Sequence, residues 1–201
     1  MRHHGPVDAE QISMLREVLS VTGWLERTSE FGRALRGTSR TPGGLLLVGT
    51  PGDDPWHLAA HLDDESRLGG APGLAPTLVR WSPPPGAPAH LAIGLDRLED
   101  ARRGETVFVV AEEGAPVPLL ERVDDARRTG ATVLALESGD RELRGLAHEA
   151  LTVPPQETLL SFDGAQHLVS AAAGDEDARA RPGLRRRLAR LLETVTGPTL
   201  D

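Results

Sequence analysis

Five short apolar runs, each followed by a stretch of helical character, set the tightest limit on how this chain can fold. The first is Gly44-Leu-Leu-Leu-Val-Gly49, apolar without alternation. That pattern suits a parallel strand covered on both faces rather than a half-wet antiparallel one. Residues 77–81, 106–110, 132–136 and 150–153 repeat the theme. Between them, residues 55–67, 96–103, 116–128, 141–148 and 157–173 read as helices. Strands alternating with helices predict an α/β, doubly wound, mainly parallel five-stranded sheet, with Leu45–Val48 and Val107–Val110 in its middle.

The ends add helices. Ile12, Leu15, Val18, Leu19 and Leu25 recur at helical spacing and predict a helix over 8–35, with Gly23 and Gly32 as its weak points. Left uncovered, its apolar residues, Trp24 included, would form a large exposed patch, so the helix is expected in a homodimer or homotetramer interface. Residues 36–44 read as a connector. A charged linker over 174–181 leads to an Arg-rich helix over 183–195. The expected organisation is one domain over 1–201, with an α/β core over 44–174.

Composition enters through what is missing. The chain has no Cys and no Tyr, and all 22 of its Lys and Arg positions are Arg. Thiol nucleophiles, thiolate metal sites, a lysine Schiff base and a P-loop lysine are therefore excluded. Lysine-free, Arg-, Ala-, Gly- and Pro-rich usage fits a GC-rich bacterial genome. The net charge of −8 sets the surface as a whole against nucleic acid and anionic membranes. No apolar run approaches the roughly 18 residues of a membrane span. Residues 1–6 lack the apolar core of a secretion signal. A cytoplasmic location is the expectation.

In parallel sheets ligands bind beyond the carboxyl ends of the strands, which directs attention to three loops. The first, Gly49-Thr-Pro-Gly-Asp-Asp54, places Gly49, Thr50, Gly52 and Asp53 where backbone N–H groups can meet a ligand at a helix N-terminus. It reads equally as a tight turn with Asp53 or Asp54 capping the helix and Pro55 near its first position. The second loop carries Glu112, Glu113 and Gly114, either an acid–base pair or solvated loop charges. In the third, Glu137, Ser138 and Asp140 suit N-capping of the next helix. His57 and His61 stand four residues apart on one helix face, a spacing that can hold a divalent metal such as zinc or leave two half-exposed imidazoles. No cofactor is required by any of these readings.

Four stretches in order carry a family resemblance. Leu45-Leu-Leu-Val-Gly-Thr-Pro-Gly-Asp-Asp-Pro-Trp-His-Leu-Ala-Ala-His-Leu62 resembles the strand, Gly-Asn-Gly-Gly-Ser loop and His-Phe-Ala-Ala-Glu-Leu helix of the SIS (sugar isomerase) superfamily, in its phosphoheptose isomerase-like branch. Residues 103–116 resemble the family's Gly-Asp strand leading into Ser-Thr-Ser-Gly-Asn-Ser. Residues 126–136 and Leu146-Ala-His-Glu-Ala-Leu-Thr-Val-Pro154 resemble two further strand motifs. The resemblance implies a sugar-phosphate site built from these loops.

The departures from the pattern change that implication. The hydroxyl-rich phosphate loop becomes Ala111, Glu112, Glu113, Gly114, Ala115 and Pro116, whose carboxylates repel a phosphate dianion. His57 keeps the family's His, but His61 replaces its catalytic Glu. The C-terminal Gln-to-His pair is not matched. Gln166 and His167 fall in the right helix, yet Gly174 stands eight residues after Gln166, where the His is expected. The expectation is a binding, scaffolding or regulatory protein with a degenerate site and little use for phosphosugars, open to a protein partner. The alternative is an isomerase-like enzyme in which His61, His167, Glu112 or Glu113 takes over proton transfer, with or without a metal.

Overall fold

The computed structural model describes residues 19, 21–83, 85–88 and 92–174. The N-terminal part of the 8–35 helix and the Arg-rich 183–195 segment lie outside these residues.

The elements run in order as helix α1 (Trp24–Thr38), strand β1 (Leu45–Val48), helix α2 (Trp56–Leu68), strand β2 (Pro76–Val79), strand β3 (Thr106–Ala111), helix α3 (Val117–Arg128), strand β4 (Thr132–Glu137), helix α4 (Arg141–Leu146), strand β5 (Glu149–Thr152) and helix α5 (Phe162–Gly174). The five strands form one sheet in the order β2-β1-β3-β4-β5. Every pairing is parallel, with Leu45 opposite both Pro76 and Thr106, Thr106 opposite Thr132 and Leu134 opposite Glu149.

The unbroken apolar runs follow from two covered faces. Leu45, Leu47, Phe108, Val110, Leu134, Leu136 and Leu151 pack with residues of α1, α2 and α5, among them Phe31, Leu62 and Val169. Leu46, Val48, Val107, Val109, Val133 and Ala135 point the other way, onto Leu119 and Val123 of α3, Leu143 of α4 and Leu98. Phe31 and Phe108 meet at 5.5 Å between ring centroids with the planes tilted by 52°.

Several boundaries differ from the sequence expectation. The N-terminal helix breaks at Gly23, whose φ of 74° only glycine adopts without strain, and α1 restarts at Trp24. Gly32 does not weaken α1. It is the contact point with α5, where an added Cβ would lie 2.6 Å from the Cβ of Ala172. α1 also runs past residue 35 to Thr38, whose hydroxyl donates back to the Ala34 carbonyl at 2.9 Å.

The stretch expected as a helix over 96–103 is a single 3₁₀ turn, Leu95–Leu98. Glu105 pairs with Arg97 and accepts the Arg102 N–H at 2.9 Å, which turns the chain into β3. α5 begins at Phe162 rather than near residue 157. The Glu157 carboxylate accepts the N–H groups of Thr158 (2.9 Å) and Leu159 (2.8 Å) and the Trp24 indole N–H (3.1 Å), which holds that segment in turns against α1. Ser161 then caps the helix by accepting the Gly164 N–H at 3.0 Å. Among the described residues no helix is long and apolar enough to cross a membrane.

Candidate functional site at the switch point of the sheet

The strand order reverses between β1 and β3. The connections leaving these two strands diverge and open a crevice at the carboxyl edge, the place where open parallel sheets bind ligands. The N-termini of α2 and α3 border it.

The first loop folds back tightly on itself. Asp53 N–H donates to the Thr50 carbonyl at 3.2 Å, and the same two residues form an isolated bridge. This fold-back brings the Asp53 carbonyl and the Pro55 ring onto Gly49, where a Cβ would meet them at 2.0 and 2.5 Å. Gly49 is thus required by close approach of backbone. Neither aspartate caps α2, contrary to the sequence expectation. Pro55 occupies the N-cap position without a side-chain bond, and Trp56 N–H donates to the Asp54 backbone carbonyl at 2.7 Å. The Asp54 carboxylate instead faces Arg80 at 3.5 Å. Asp53 is left at the crevice, where partial burial, then Asp163, Asp54 and Glu113, raise its pKa above the ordinary carboxylate value.

The second loop exposes Glu112, Glu113 and Gly114. The nearest atom to a Cβ on Gly52 would be the Oε2 of Glu113, 4.0 Å away, so the two loops confront each other with a carboxylate between them. The third loop fixes the second. Asp140 Oδ2 accepts the Ala115 N–H at 2.8 Å, while its Oδ1 caps α4 through Glu142 and Leu143 N–H. Ser138 donates to the Val153 carbonyl at 2.7 Å.

Glu137, read from sequence as a turn residue, is fully buried at the end of β4. It accepts the Gly139 and Asp140 N–H groups at 2.5 and 2.6 Å and the Arg144 Nε–H at 3.1 Å, together with the Thr152 hydroxyl. Its work is to fasten the end of β4 to β5 and to the third loop.

The histidines separate into two environments. His57 lies against the ring of Trp56, which is 57% exposed. His61, one turn on, meets His167 of α5 edge-on, with ring centroids 4.5 Å apart. Asp163 Oδ2 lies 3.9 Å from His167 Nε2. Loss of hydration at the contact, and next the charge of His167, lower the His61 pKa, with His57 acting the same way and Asp64 and Asp163 opposing. Among the described residues no group of three or more His, Cys, Asp or Glu is arranged to hold a metal ion, so the His57–His61 pair gains no third ligand.

His167, a candidate from the sequence, stands next to Gln166 on α5 and reaches His61. Asp163 and Arg80 carried no sequence signal that set them apart, and Glu137, expected among the N-capping residues, leaves that role to Asp140. Their placement depends on pairings between distant elements. Asp53, Asp54, Glu113 and Asp163 thus ring the crevice with acid, and two imidazoles stand beside them. Such a rim donates and accepts protons and suits hydroxyl or ammonium groups better than anions.

No family model matches the chain, and no curated protein matches it. Solved structures do share the fold. A protein from Silicibacter pomeroyi DSS-3 assigned as a phosphosugar isomerase aligns at 18% identity over 91% of this chain and 54% of its own, with a TM-score of 0.53. A protein from Salmonella typhimurium LT2 assigned as sugar binding aligns at 15% identity over 94% of this chain and 55% of its own, with a TM-score of 0.53. The Vibrio vulnificus NanR protein complexed with ManNAc-6P aligns at 15% identity over 96% and 75%, with a TM-score of 0.50. This chain spans about half the length of the first two. The shared architecture agrees with the sugar-isomerase-like fold read from the sequence.

Proposed function

We propose that the protein is a binding module on a sugar-isomerase-like fold, that it takes a carbohydrate-derived ligand without a phosphate in the β1/β3 crevice, and that it serves a regulatory or scaffolding role rather than isomerisation. The fold likeness to sugar-binding and phosphosugar proteins supports the carbohydrate class. The observation that carries the rest is the confrontation of Glu113 with the Gly52–Asp53 turn. A carboxylate about 5 Å from a phosphate dianion costs about 3 kcal/mol for each unit of phosphate charge at an effective dielectric near 20. A helix N-terminus returns about 0.3–1 kcal/mol at an exposed site. Arg80, the cation beside the first loop, already faces Asp54.

The NanR complex with ManNAc-6P weighs against excluding phosphosugars from this fold as a class. The exclusion offered here rests on this chain's own carboxylates. Trp24, Phe31 and Leu35 of α1, expected to need a second copy for cover, are buried within the chain itself; self-association through the N-terminal helix stays part of the proposal only through its other residues, and a monomeric mass by light scattering at micromolar concentration refutes it.

The test is calorimetry of metal-free protein with ManNAc-6P, sedoheptulose 7-phosphate and their unphosphorylated sugars. The proposal expects the unphosphorylated series to bind and the phosphorylated series to fail. Micromolar binding of a phosphosugar in the absence of metal overturns it.

A second reading is favoured by the His61–His167 contact, which sets two proton carriers side by side at the rim. Here the protein is an isomerase-like enzyme with rearranged acid–base groups. Turnover of an aldose or ketose phosphate, lost in His61→Asn, would establish it. Binding that appears only with zinc and vanishes in His57→Ala would make it metal-dependent.

A further inference from the structure

We propose that the Arg-rich C-terminal segment, residues 184–195, folds back as a helix over the outward face of α2, antiparallel to it, so that the chain covers its own exposed ridge from Leu68 to Trp56.

The ridge is built into α2. Trp56, Ala60, Asp64 and Leu68 stand four residues apart and line up on one side of the helix, away from the buried Leu58 and Leu62. All four are exposed, and the two large apolar ones sit at the ends, Leu68 at 82% and Trp56 at 57%.

The described chain ends beside this ridge. α5 stops at Gly174, whose carbonyl oxygen lies 2.7 Å from where a Cβ on Gly69 would stand, and Gly69 directly follows Leu68. The segment therefore sets out from the Leu68 end. Residues 175–183 form a charged linker that reaches about 30 Å when extended, ample for a reversal of direction. Pro182-Gly183 closes it. A return along α2 is antiparallel, as a short connection between neighbouring helices requires.

The pattern of the segment fits the ridge. Leu184, Leu188, Leu191, Leu192 and Val195 recur at helical spacing and predict an apolar stripe. A helix rises about 16 Å from 184 to 195 and about 18 Å from 56 to 68, so stripe and ridge match in length. Arg185 and Arg187 flank the stripe, while Arg186 and Arg190 fall on its far side. In the antiparallel sense the flanking arginines arrive near Asp64. Asp63, one residue earlier, is already paired with Arg67. Leu191, Leu192 and Val195 then meet Ala60 and Trp56. The opposite sense would carry Arg185 and Arg187 to the far end, away from Asp64. Charge and linker thus select the same direction. The segment ends over Trp56 at the rim of the crevice, yet the docking stands whether or not a sugar binds there.

The chain has no Cys, so a single nitroxide can be attached through Glu193→Cys, on the outer side of the predicted helix. In isotope-labelled full chain, the amide signals of residues 56–60 are expected to broaden, and those of α3, on the other face of the sheet, to stay sharp. Arg185→Glu with Arg187→Glu should lower the docked-to-released ratio, read from the position of the Leu68 amide signal, by about fivefold, within reach of two exposed ion pairs. Arg186→Glu with Arg190→Glu makes the same change in charge and should leave that ratio as it is. Asp64→Arg should release the segment as well, and should restore docking when combined with the Arg185 and Arg187 reversals.

Sharp signals over 56–60 in the labelled chain, or equal effects of the two arginine pairs, overturn the proposal. Asp64→Arg keeps it open to refutation should the first pair fail to fold. Nitroxide-bearing chain mixed with isotope-labelled chain that lacks the nitroxide separates the two possible occupants. Broadening in that mixture shows that a second copy takes the face, and overturns docking within one chain.

Discussion

Asp140 holds Ala115 by its backbone N–H at 2.8 Å, so the loop after β4 sets the position of the loop after β3. One carboxylate therefore does two jobs, because its other oxygen caps α4. Asp140→Ala is expected to cost about 1–2 kcal/mol, the usual loss for an N-cap. Amide exchange should quicken at Ala115 as well as at Glu142 and Leu143. Loss of protection confined to α4 would show that the bond to the second loop contributes nothing.

Gly49→Ala tests the fold-back of the first loop. The added methyl would meet the Asp53 carbonyl oxygen at 2.0 Å, and backbone on both sides leaves it nowhere to go. Overpacking of this kind costs about 2–3 kcal/mol, measured by denaturant midpoint. Gly114→Ala meets nothing within 4 Å and is the matched control, expected to be close to neutral.

Asp53 and His61 give opposite pH dependences. The Asp53 carboxyl holds its proton more tightly folded than unfolded, so its ionisation disfavours the fold as pH rises through the raised pKa. Asp53→Asn should raise Tm at pH 7 by about 1–3 °C after allowing for solvent screening, with the gain vanishing below the unfolded value of 3.8. His61 holds its proton more weakly folded than unfolded, so stability falls as pH drops below the unfolded value of 6.5. His61→Asn should flatten that acid limb. Equal slopes in wild type and both variants, by thermal melts across pH 3–8, would refute the two assignments.

Glu137→Ala removes a buried acceptor and leaves the Gly139 and Asp140 N–H groups without their partner. A loss of about 2–4 kcal/mol is expected. Because Arg144 is half in solvent and rehydrates, the loss falls short of a fully buried pair. Urea midpoints of Glu137→Ala and Arg144→Ala would check this, with the Glu137 change the costlier by at least half.

The sheet was legible because its strands need no partner to be recognised. Leu45–Val48 and Val107–Val110 are apolar at every position, and only burial on two faces explains that. Helix limits were read less well where a long-range bond decides them. Glu157 starts no helix because Trp24, far back in the chain, takes its carboxylate. The same holds at the site. Gly49, Gly52 and Asp53 announced a turn by their residue types, but whether an aspartate caps a helix or faces a crevice is set by Arg80 and Asp163 arriving from elsewhere. The His61–His167 contact lies beyond spacing rules altogether, since it joins two helices separated in the chain by four strands.

The parallel pairing also dictates an order of assembly as the chain is synthesised. β1 can take β2 as a neighbour soon after both emerge, since one helix separates them. Its other edge stays open until β3 arrives, and the face it turns to α1 and α2 is completed only by α5, after every strand has been made. The most apolar strand of the N-terminal half thus gains the last of its cover only when the core is finished. Nascent chains halted between residues 80 and 105 should be the species that chaperones hold and that aggregates recruit.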